Sequence, residues 1–331
     1  MRVMVTGAQG MLGRELAARL AQPPAAHEVT AVDIADFDIT DFAATAAAIA
    51  AAAPDLVCHC AAYTDVDGCE REPERAFRVN AQGAWNVAAA LRPIRQAQSL
   101  PRVCRGGKHA HGDAGSQAGA DMLYISTDFV FDGEKGAPYT ECDEPRPLGV
   151  YGLSKLAGER HVRELVRRHF IVRTAWLFAP HGRNFVRAIL RKARELSGCA
   201  KAAADRPMLR VVADQVGSPT SAADLADAIV RHLVDLPAEA SAKAGSRLYG
   251  TYHITNAGSC SWAEFAAEIL RLAGSPVAVE PIASSEWPSP TRRPAYSALR
   301  RLSLEMQGRD DLRPWQEALA EVVAEIAPGK Q

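Results

Sequence analysis

Two side chains that could move a proton stand four residues apart in Tyr151-Gly152-Leu153-Ser154-Lys155. On a helix that spacing puts both on one face, one turn apart. A phenol so placed can give or take a proton beside a carbonyl carbon that gains or loses hydride. Its free pKa is about 10, and a neighbouring ammonium favours the phenolate and pulls that value toward neutrality. Lys155 is therefore expected to tune Tyr151 while hydrogen-bonding a cofactor ribose. Upstream, Leu123-Tyr124-Ile125-Ser126-Thr127 reads as a strand that ends where open sheets bind ligands. From its last position Thr127 can donate its hydroxyl to the carbonyl oxygen. Tyr151, Lys155 and Thr127 thus form a catalytic set for interconverting a carbonyl and an alcohol.

The hydride carrier has its own signature. Strand Arg2 to Thr6 runs into Gly7-Ala8-Gln9-Gly10-Met11-Leu12-Gly13, after which a helix begins. In such a loop the first glycine permits the tight turn and the second lets a pyrophosphate approach the backbone. The third packs helix on strand, and the helix N-terminus faces the phosphates. Asp33 lies 20 residues past Gly13, at the end of the second strand, where a carboxylate accepts hydrogen bonds from the adenosine ribose. Asp33-Ile34-Ala35-Asp36 supplies no cation for a 2′-phosphate, which favours NADH over NADPH unless Arg14 or another arginine compensates.

Elements that position these residues follow from the alternation of short apolar runs with helical stretches. Strands are expected at Arg2 to Thr6, Glu28 to Val32, Asp55 to Cys60, Met122 to Thr127 and Phe170 to Thr174. Helices are expected at Met11 to Ala21, Phe42 to Ala53, Glu74 to Leu91 and Tyr151 to His169. This order implies an α/β fold, a Rossmann-type doubly wound parallel sheet. We divide the chain into a dinucleotide-binding domain, 1–175, and a smaller C-terminal substrate-binding lobe, 176–331. The lobe has helices at Phe185 to Glu195, Ala222 to Leu236, Trp262 to Ala273 and Leu312 to Ile326; strands Leu209 to Val212 and Thr251 to Ile254 are expected to return to the main sheet. The aperiodic stretch 92–120 exceeds the usual helix-to-strand connection and reads as a flexible insertion at the sheet edge away from the ligand.

Bulk properties exclude other classes. The 331 residues are 48% apolar and 23% charged with a formal net charge of -1, so no footprint for nucleic acid or an anionic membrane exists. No stretch approaches the roughly 18 apolar residues of a membrane span, and the short N-terminal apolar run does not fit a signal peptide, which points to the cytoplasm. The seven cysteines include no C-x-x-C pair. Cys58-His59-Cys60 lies in an apolar run whose alternate residues face opposite ways, so it is read as a buried strand and no metal site is assigned.

With these motifs the chain resembles an extended short-chain dehydrogenase/reductase and, more narrowly, the dTDP-4-dehydrorhamnose reductase family. The resemblance spans nearly the whole chain apart from 92–120 and a shorter insertion near 198–206. Besides the glycine loop and the Tyr–Lys helix it is carried by Ala61-Ala62-Tyr63-Thr64-Asp65-Val66-Asp67 and Ser126-Thr127-Asp128-Phe129-Val130-Phe131-Asp132-Gly133. Arg173-Thr174-Ala175-Trp176 and Arg293-Pro294-Ala295-Tyr296-Ser297 extend it. The resemblance implies reduction of the C4 keto group of dTDP-4-dehydro-L-rhamnose by NADPH or NADH, giving dTDP-L-rhamnose for surface polysaccharides. Tyr151 would protonate the oxyanion, Lys155 would orient the ribose, and Thr127 would hold the carbonyl. Asp38 and Ile39 would contact adenine, and Ala61, Ala62 and Tyr63 would line the inner half of the cofactor. Asp128 and Trp176 would shape the sugar pocket, with Asn184 and Arg293 near the diphosphate. Some members dimerise through Mg2+, and Glu15 fits a ligand position on the first helix. Phe129 departs from the family's usual tyrosine, which removes a pocket hydroxyl.

A nucleotide-sugar dehydratase would need a second carboxylate where Thr127-Asp128-Phe129 places an aromatic. An epimerase shares fold, cofactor and Tyr–Lys pair and stays open as an alternative. A non-catalytic regulatory subunit of the same fold has no need to keep Thr127, Tyr151 and Lys155 together, so their joint presence favours an enzyme.

Overall fold

The computed structural model describes residues 1–24, 26–92, 119–199, 207–235 and 248–326. In chain order the first elements are β1 (Arg2–Thr6), α1 (Met11–Leu20), β2 (Glu28–Val32), α2 (Phe42–Ala52), β3 (Leu56–His59), α3 (Val66–Arg71), α4 (Pro73–Phe77), α5 (Gly83–Ala90), β4 (Asp121–Thr127), α6 (Val150–Leu165) and β5 (His169–Thr174). There follow β6 (Leu177–Phe178), α7 (Phe185–Cys199), β7 (Met208–Val212), β8 (Val216–Gly217), β9 (Thr220–Ser221), α8 (Ala222–Ile229), β10 (Gly250–His253), β11 (Cys260–Ser261), α9 (Trp262–Leu272), β12 (Ala278–Ile282), α10 (Leu302–Met306) and α11 (Trp315–Ile326). Six parallel strands form the main sheet in the order β10-β5-β4-β3-β1-β2.

Both sheet faces are covered, as the continuous apolar strands require. Val3, Val5, Leu123 and Phe170 point to one face and pack with Leu12 and Leu16 of α1 and Leu225 and Ile229 of α8. Met4, Val57, Met122, Tyr124 and Ile171 point to the other, against Ala84 and Val87 of α5 and Val162 of α6. A separate cluster joins Ile189 and Leu190 of α7, Phe265 and Ile269 of α9, and Trp315 and Leu319 of α11. Local chemistry sets the helix ends. Asp41 caps α2 by accepting from the Ala44 N–H at 3.1 Å, and Ala53 ends it in the left-handed region before Pro54. Ser261 and Glu264 form a capping box on α9.

Several expectations are corrected. The helix expected from Glu74 to Leu91 starts at Pro73 and is broken by a π turn at Arg78–Gln82. The helix expected to run to His169 stops at Leu165, because the chain beyond must pair with β4: Met122 N–H bonds Arg168 O at 3.1 Å. Strand β10 joins the main sheet beside β5, whereas β7 pairs in parallel with β12, a strand unforeseen in the sequence, outside that sheet. Helix α8 ends at Ile229 and continues as a second π turn, Val230–Val234. Most of the insertion at 92–120, and 200–206 of the second one, lie outside the described residues.

Candidate functional site: a dinucleotide cradle beside a tyrosine–lysine helix

The glycine loop has the shape its sequence demands. Gly7 sits at φ 69°, and a Cβ there would lie 2.6 Å from the Ala61 nitrogen, so the turn and the end of β3 meet only through glycine. A Cβ on Gly13 would run into the Gly7 carbonyl, which is why α1 can start so close to β1. Gly10 is the N-cap of α1 and offers no side-chain cap, leaving the first-turn N–H groups open to an anion. The cradle that only glycines permit and the uncapped helix end both fit a dinucleotide pyrophosphate. A crevice of about 310 Å³ continues from it, lined by Asp33, Asp38, Ile39, Ala61, Ala62 and Tyr63.

Asp33 is built into the loop. Its carboxylate accepts the Gln9 N–H and the Ile34 N–H, each at 2.8 Å. Arg75 and Val79, absent from the sequence-derived set, close the crevice, with the Arg75 guanidinium 4.5 Å above the Tyr63 ring. Leu12 is buried in the core, so only its backbone can face a cofactor. Met11 instead packs near the loop before α7, where the Asn184 amide lies 3.5 Å from its sulfur.

Tyr151 opens α6 and is brought to Thr127 by Gly152, whose missing Cβ makes room for the Phe129 carbonyl. Phe129 meets the Tyr151 ring edge-on at 5.7 Å. The Val150 N–H donates to Glu70 Oε1 at 2.8 Å, so a carboxylate from α3 caps α6 in place of its own residue Gly149. Burial pushes the Tyr151 phenol above its ordinary value; the Thr127 hydroxyl opposes this, and charge on Asp128 adds to it. The direction is opposite to the expected pull toward neutrality, because desolvating the phenolate outweighs the other influences.

Lys155 is buried, with Nζ 4.1 Å from the centroid of the Tyr124 ring. Burial brings the ammonium down to about 7, while Glu159 and Cys60 act to raise it. Glu159, one turn further along α6, is buried in a bidentate pair with Arg173 at 2.8 Å and accepts from Ser126 at 2.6 Å. His59 of the Cys58-His59-Cys60 run is a buried strand residue, its Nδ1 2.7 Å from Thr6 Oγ1, and burial with the nearby Lys155 charge brings it down to about 3.

One polar residue of the site escaped the sequence reading. Asn80 lies in the π turn, buried, where its Oδ1 accepts the Tyr63 N–H at 2.7 Å and its Nδ2 donates to Tyr63 O and Ser154 Oγ, both at 3.0 Å. It ties the crevice wall to the catalytic helix. The available signal was an amide among the apolar residues of that helix, and π turns often mark functional sites.

A cavity of about 750 Å³ is lined by Arg183, Asn184, Lys192, Trp262, Trp287 and Arg293 among others. Trp176, at φ 45°, does not line it directly; its indole stacks on Trp262 at 3.4 Å and lies over Gly217. Asn184 donates its amide to Ala179 O at 2.8 Å and His181 O at 3.2 Å, and its Oδ1 accepts the Arg187 N–H at 3.2 Å near the start of α7. Arg293 pairs with Asp67 at 3.0 Å. Asp128, adjacent to Thr127, is buried and brought up to about 6. Glu15 lies 3.8 Å from His181, and among the described residues no group of three or more His, Cys, Asp or Glu side chains forms a metal site. No helix among them is long and apolar enough to cross a membrane.

Known proteins share this fold. Residues 1–96 and 103–327 match the RmlD substrate binding domain family. The dTDP-4-dehydrorhamnose reductase of Streptomyces griseus is 39% identical over 322 residues, 97% of this chain and 92% of that protein. A solved dTDP-4-dehydrorhamnose reductase from Clostridium acetobutylicum superposes with a TM-score of 0.79 at 37% identity, covering 98% of each chain. That of Bacillus anthracis, solved in complex with NADP, gives 0.78 at 35% identity, covering 98% of this chain and 99% of the other. With the glycine cradle, the Tyr–Lys helix and agreement over nearly its full length, this chain belongs to the RmlD substrate binding domain family.

Proposed function

We propose that the protein reduces the C4 keto group of dTDP-4-dehydro-L-rhamnose to give dTDP-L-rhamnose, using NADH or NADPH. The observation that carries this reading is Tyr151 held against Thr127 and one helical turn from buried Lys155, beside a glycine cradle in a chain of this family. Gly7, Gly10 and Gly13 hold the pyrophosphate, Asp33 the adenosine ribose, Asp38 and Ile39 the adenine, and Ala61, Ala62 and Tyr63 the inner half. The dihydronicotinamide supplies hydride to the carbonyl carbon. Tyr151 gives its hydroxyl proton to the carbonyl oxygen as the alcohol forms, and the phenolate then regains a proton from solvent. Lys155 orients the ribose, and its charge favours the transient phenolate. Thr127 keeps the reacting oxygen beside the phenol.

Residues 1–175 chiefly hold the cofactor and 176–331 the nucleotide sugar, with Arg183, Lys192 and Arg293 offering positive charge to its diphosphate. The Asp33 carboxylate favours NADH, because a 2′-phosphate beside it meets like charge, while Arg75 in the same crevice offers that phosphate a cation, so both reductants are to be assayed. The work belongs in the cytoplasm, and assembly is as a homodimer; sedimentation with and without EDTA tests whether Mg2+ at Glu15 contributes. The reaction itself is tested by following absorbance at 340 nm with dTDP-4-dehydro-L-rhamnose made in situ from dTDP-glucose. Substrate-dependent oxidation with dTDP-rhamnose as product supports the reading. Clear cofactor binding without turnover on either reductant rejects it.

A further inference from the structure

We propose that Ser297 is a positioning residue for the reduction: its hydroxyl fixes the Asp128 carboxylate, and Asp128 fixes the Thr127 hydroxyl against Tyr151. The inference rests on the reductase reading above. Ser297 Oγ donates to Asp128 Oδ2 at 2.6 Å, and Thr127 Oγ1 donates to Asp128 Oδ1 at 3.0 Å. The two carboxylate oxygens are thus shared between the end of β4 and a residue 169 positions further along the chain. Ser297 and Asp128 are each 2% exposed and Thr127 5%, so solvent is poorly placed to replace either bond.

A threonine hydroxyl carries one proton and turns about one bond. With that proton directed at Asp128, the oxygen accepts the Phe129 N–H at 3.2 Å, and the same hydroxyl acts on the Tyr151 phenol, favouring its ionised form. The orientation of Thr127 therefore depends on Asp128 staying in place.

The hydroxyls of Ser297 and Thr127 and the backbone N–H groups of Asp128 and Phe129 are the main groups that hold the Asp128 charge against its burial. Each hydroxyl accordingly matters more, since a buried carboxylate oxygen without a donor is costly.

The backbone holds Ser297 itself. Its N–H donates to Val216 O at 2.8 Å, and the Val216 N–H donates to Ala295 O at 2.8 Å. On the other side Tyr139 N–H bonds Ala298 O at 2.8 Å, and Leu299 N–H bonds Ser218 Oγ at 3.2 Å. The segment is clamped from both sides, and β8, which carries Gly217 under Trp176, is one of its partners. Ser297 thus ties the wall of the sugar lobe to the catalytic threonine.

The test compares wild type, Ser297→Ala and Ser297→Thr in steady-state NADH oxidation with the 4-keto sugar, alongside NADH affinity by fluorescence. Ser297→Ala is expected to lower kcat about tenfold while the sugar KM and the NADH Kd stay within about twofold, with Ser297→Thr recovering most of the rate. An undiminished kcat in Ser297→Ala overturns the role, with the reductase reading intact. A loss shared by kcat, KM and NADH binding, or no recovery by threonine in a protein that still binds NADH, marks a structural residue and also overturns it. An inactive wild type withdraws the reductase reading and this role together.

Discussion

Replacing Gly7 by alanine separates two physical demands on the cofactor loop. The residue sits at φ 69°, where an L side chain costs about 1–2 kcal/mol. Its new Cβ would also lie 2.6 Å from Ala61 N and 2.7 Å from Ala61 Cα, both backbone atoms, where ordinary contact begins at 3.4 Å. The loop and the end of β3 must therefore part by most of an ångström, and overpacking of this kind costs about 1–3 kcal/mol. Gly136 is the control: φ is 67° and nothing lies within 4 Å of its would-be Cβ. Gly136→Ala should lose only the backbone component, about 1–2 kcal/mol in urea unfolding, with NADH affinity unchanged. Gly7→Ala should lose roughly 2–5 kcal/mol and bind NADH about 10- to 100-fold more weakly, because the displaced loop no longer aims its N–H groups at the pyrophosphate. Urea titration measures the first quantity, and energy transfer from tryptophan to NADH the second. An NADH Kd for Gly7→Ala within about twofold of wild type, or a stability equal to that of Gly136→Ala, would refute the argument from close approach.

Further outcomes follow from the catalytic helix and its support. Tyr151→Phe should cut turnover roughly 10²- to 10⁴-fold with NADH affinity nearly intact; unchanged turnover would remove the phenol from the mechanism. Lys155 loses its charge as pH rises through about 7 in the cofactor-free protein, so NADH affinity should weaken across that pH and become flat in Lys155→Met. Because burial holds this lysine's folded pKa below its ordinary value of 10.5, the unfolded chain holds the extra proton between the two values; Lys155 therefore adds stability as pH rises through that window, a gain in thermal midpoint that Lys155→Met should lack. Glu159→Gln strips the carboxylate from buried Arg173 and should destabilise by about 3 kcal/mol in urea titration, whereas a loss under about 1 kcal/mol would mean that the pair is dispensable.

Local chemistry decides much of this protein before tertiary contacts are considered. Glycines at 7, 10 and 13 between an apolar strand and an amphipathic helix admit few conformations, so the dinucleotide corner and Asp33 at the end of β2 were legible from spacing alone. The four-residue step from Tyr151 to Lys155 likewise fixes their shared helical face. Long-range contacts settled the remainder. Asn80 sits buried in a π turn, and its partners Tyr63 and Ser154 lie 17 and 74 residues away. Pairing of β7 with β12 depends on a match across the chain that period and composition do not encode. The upward shift of Tyr151 reflects burial, which a helical spacing cannot report. Asn184 and Trp176 were recognisable as residue types, but hydrogen-bond partners and ring stacking decided that Asn184 lines the larger cavity while Trp176 stands behind it against Trp262. The sequence alone determined which groups can do chemistry, because covalent spacing sets local geometry; only the folded chain decided their solvation and partners, because those come from residues distant in sequence.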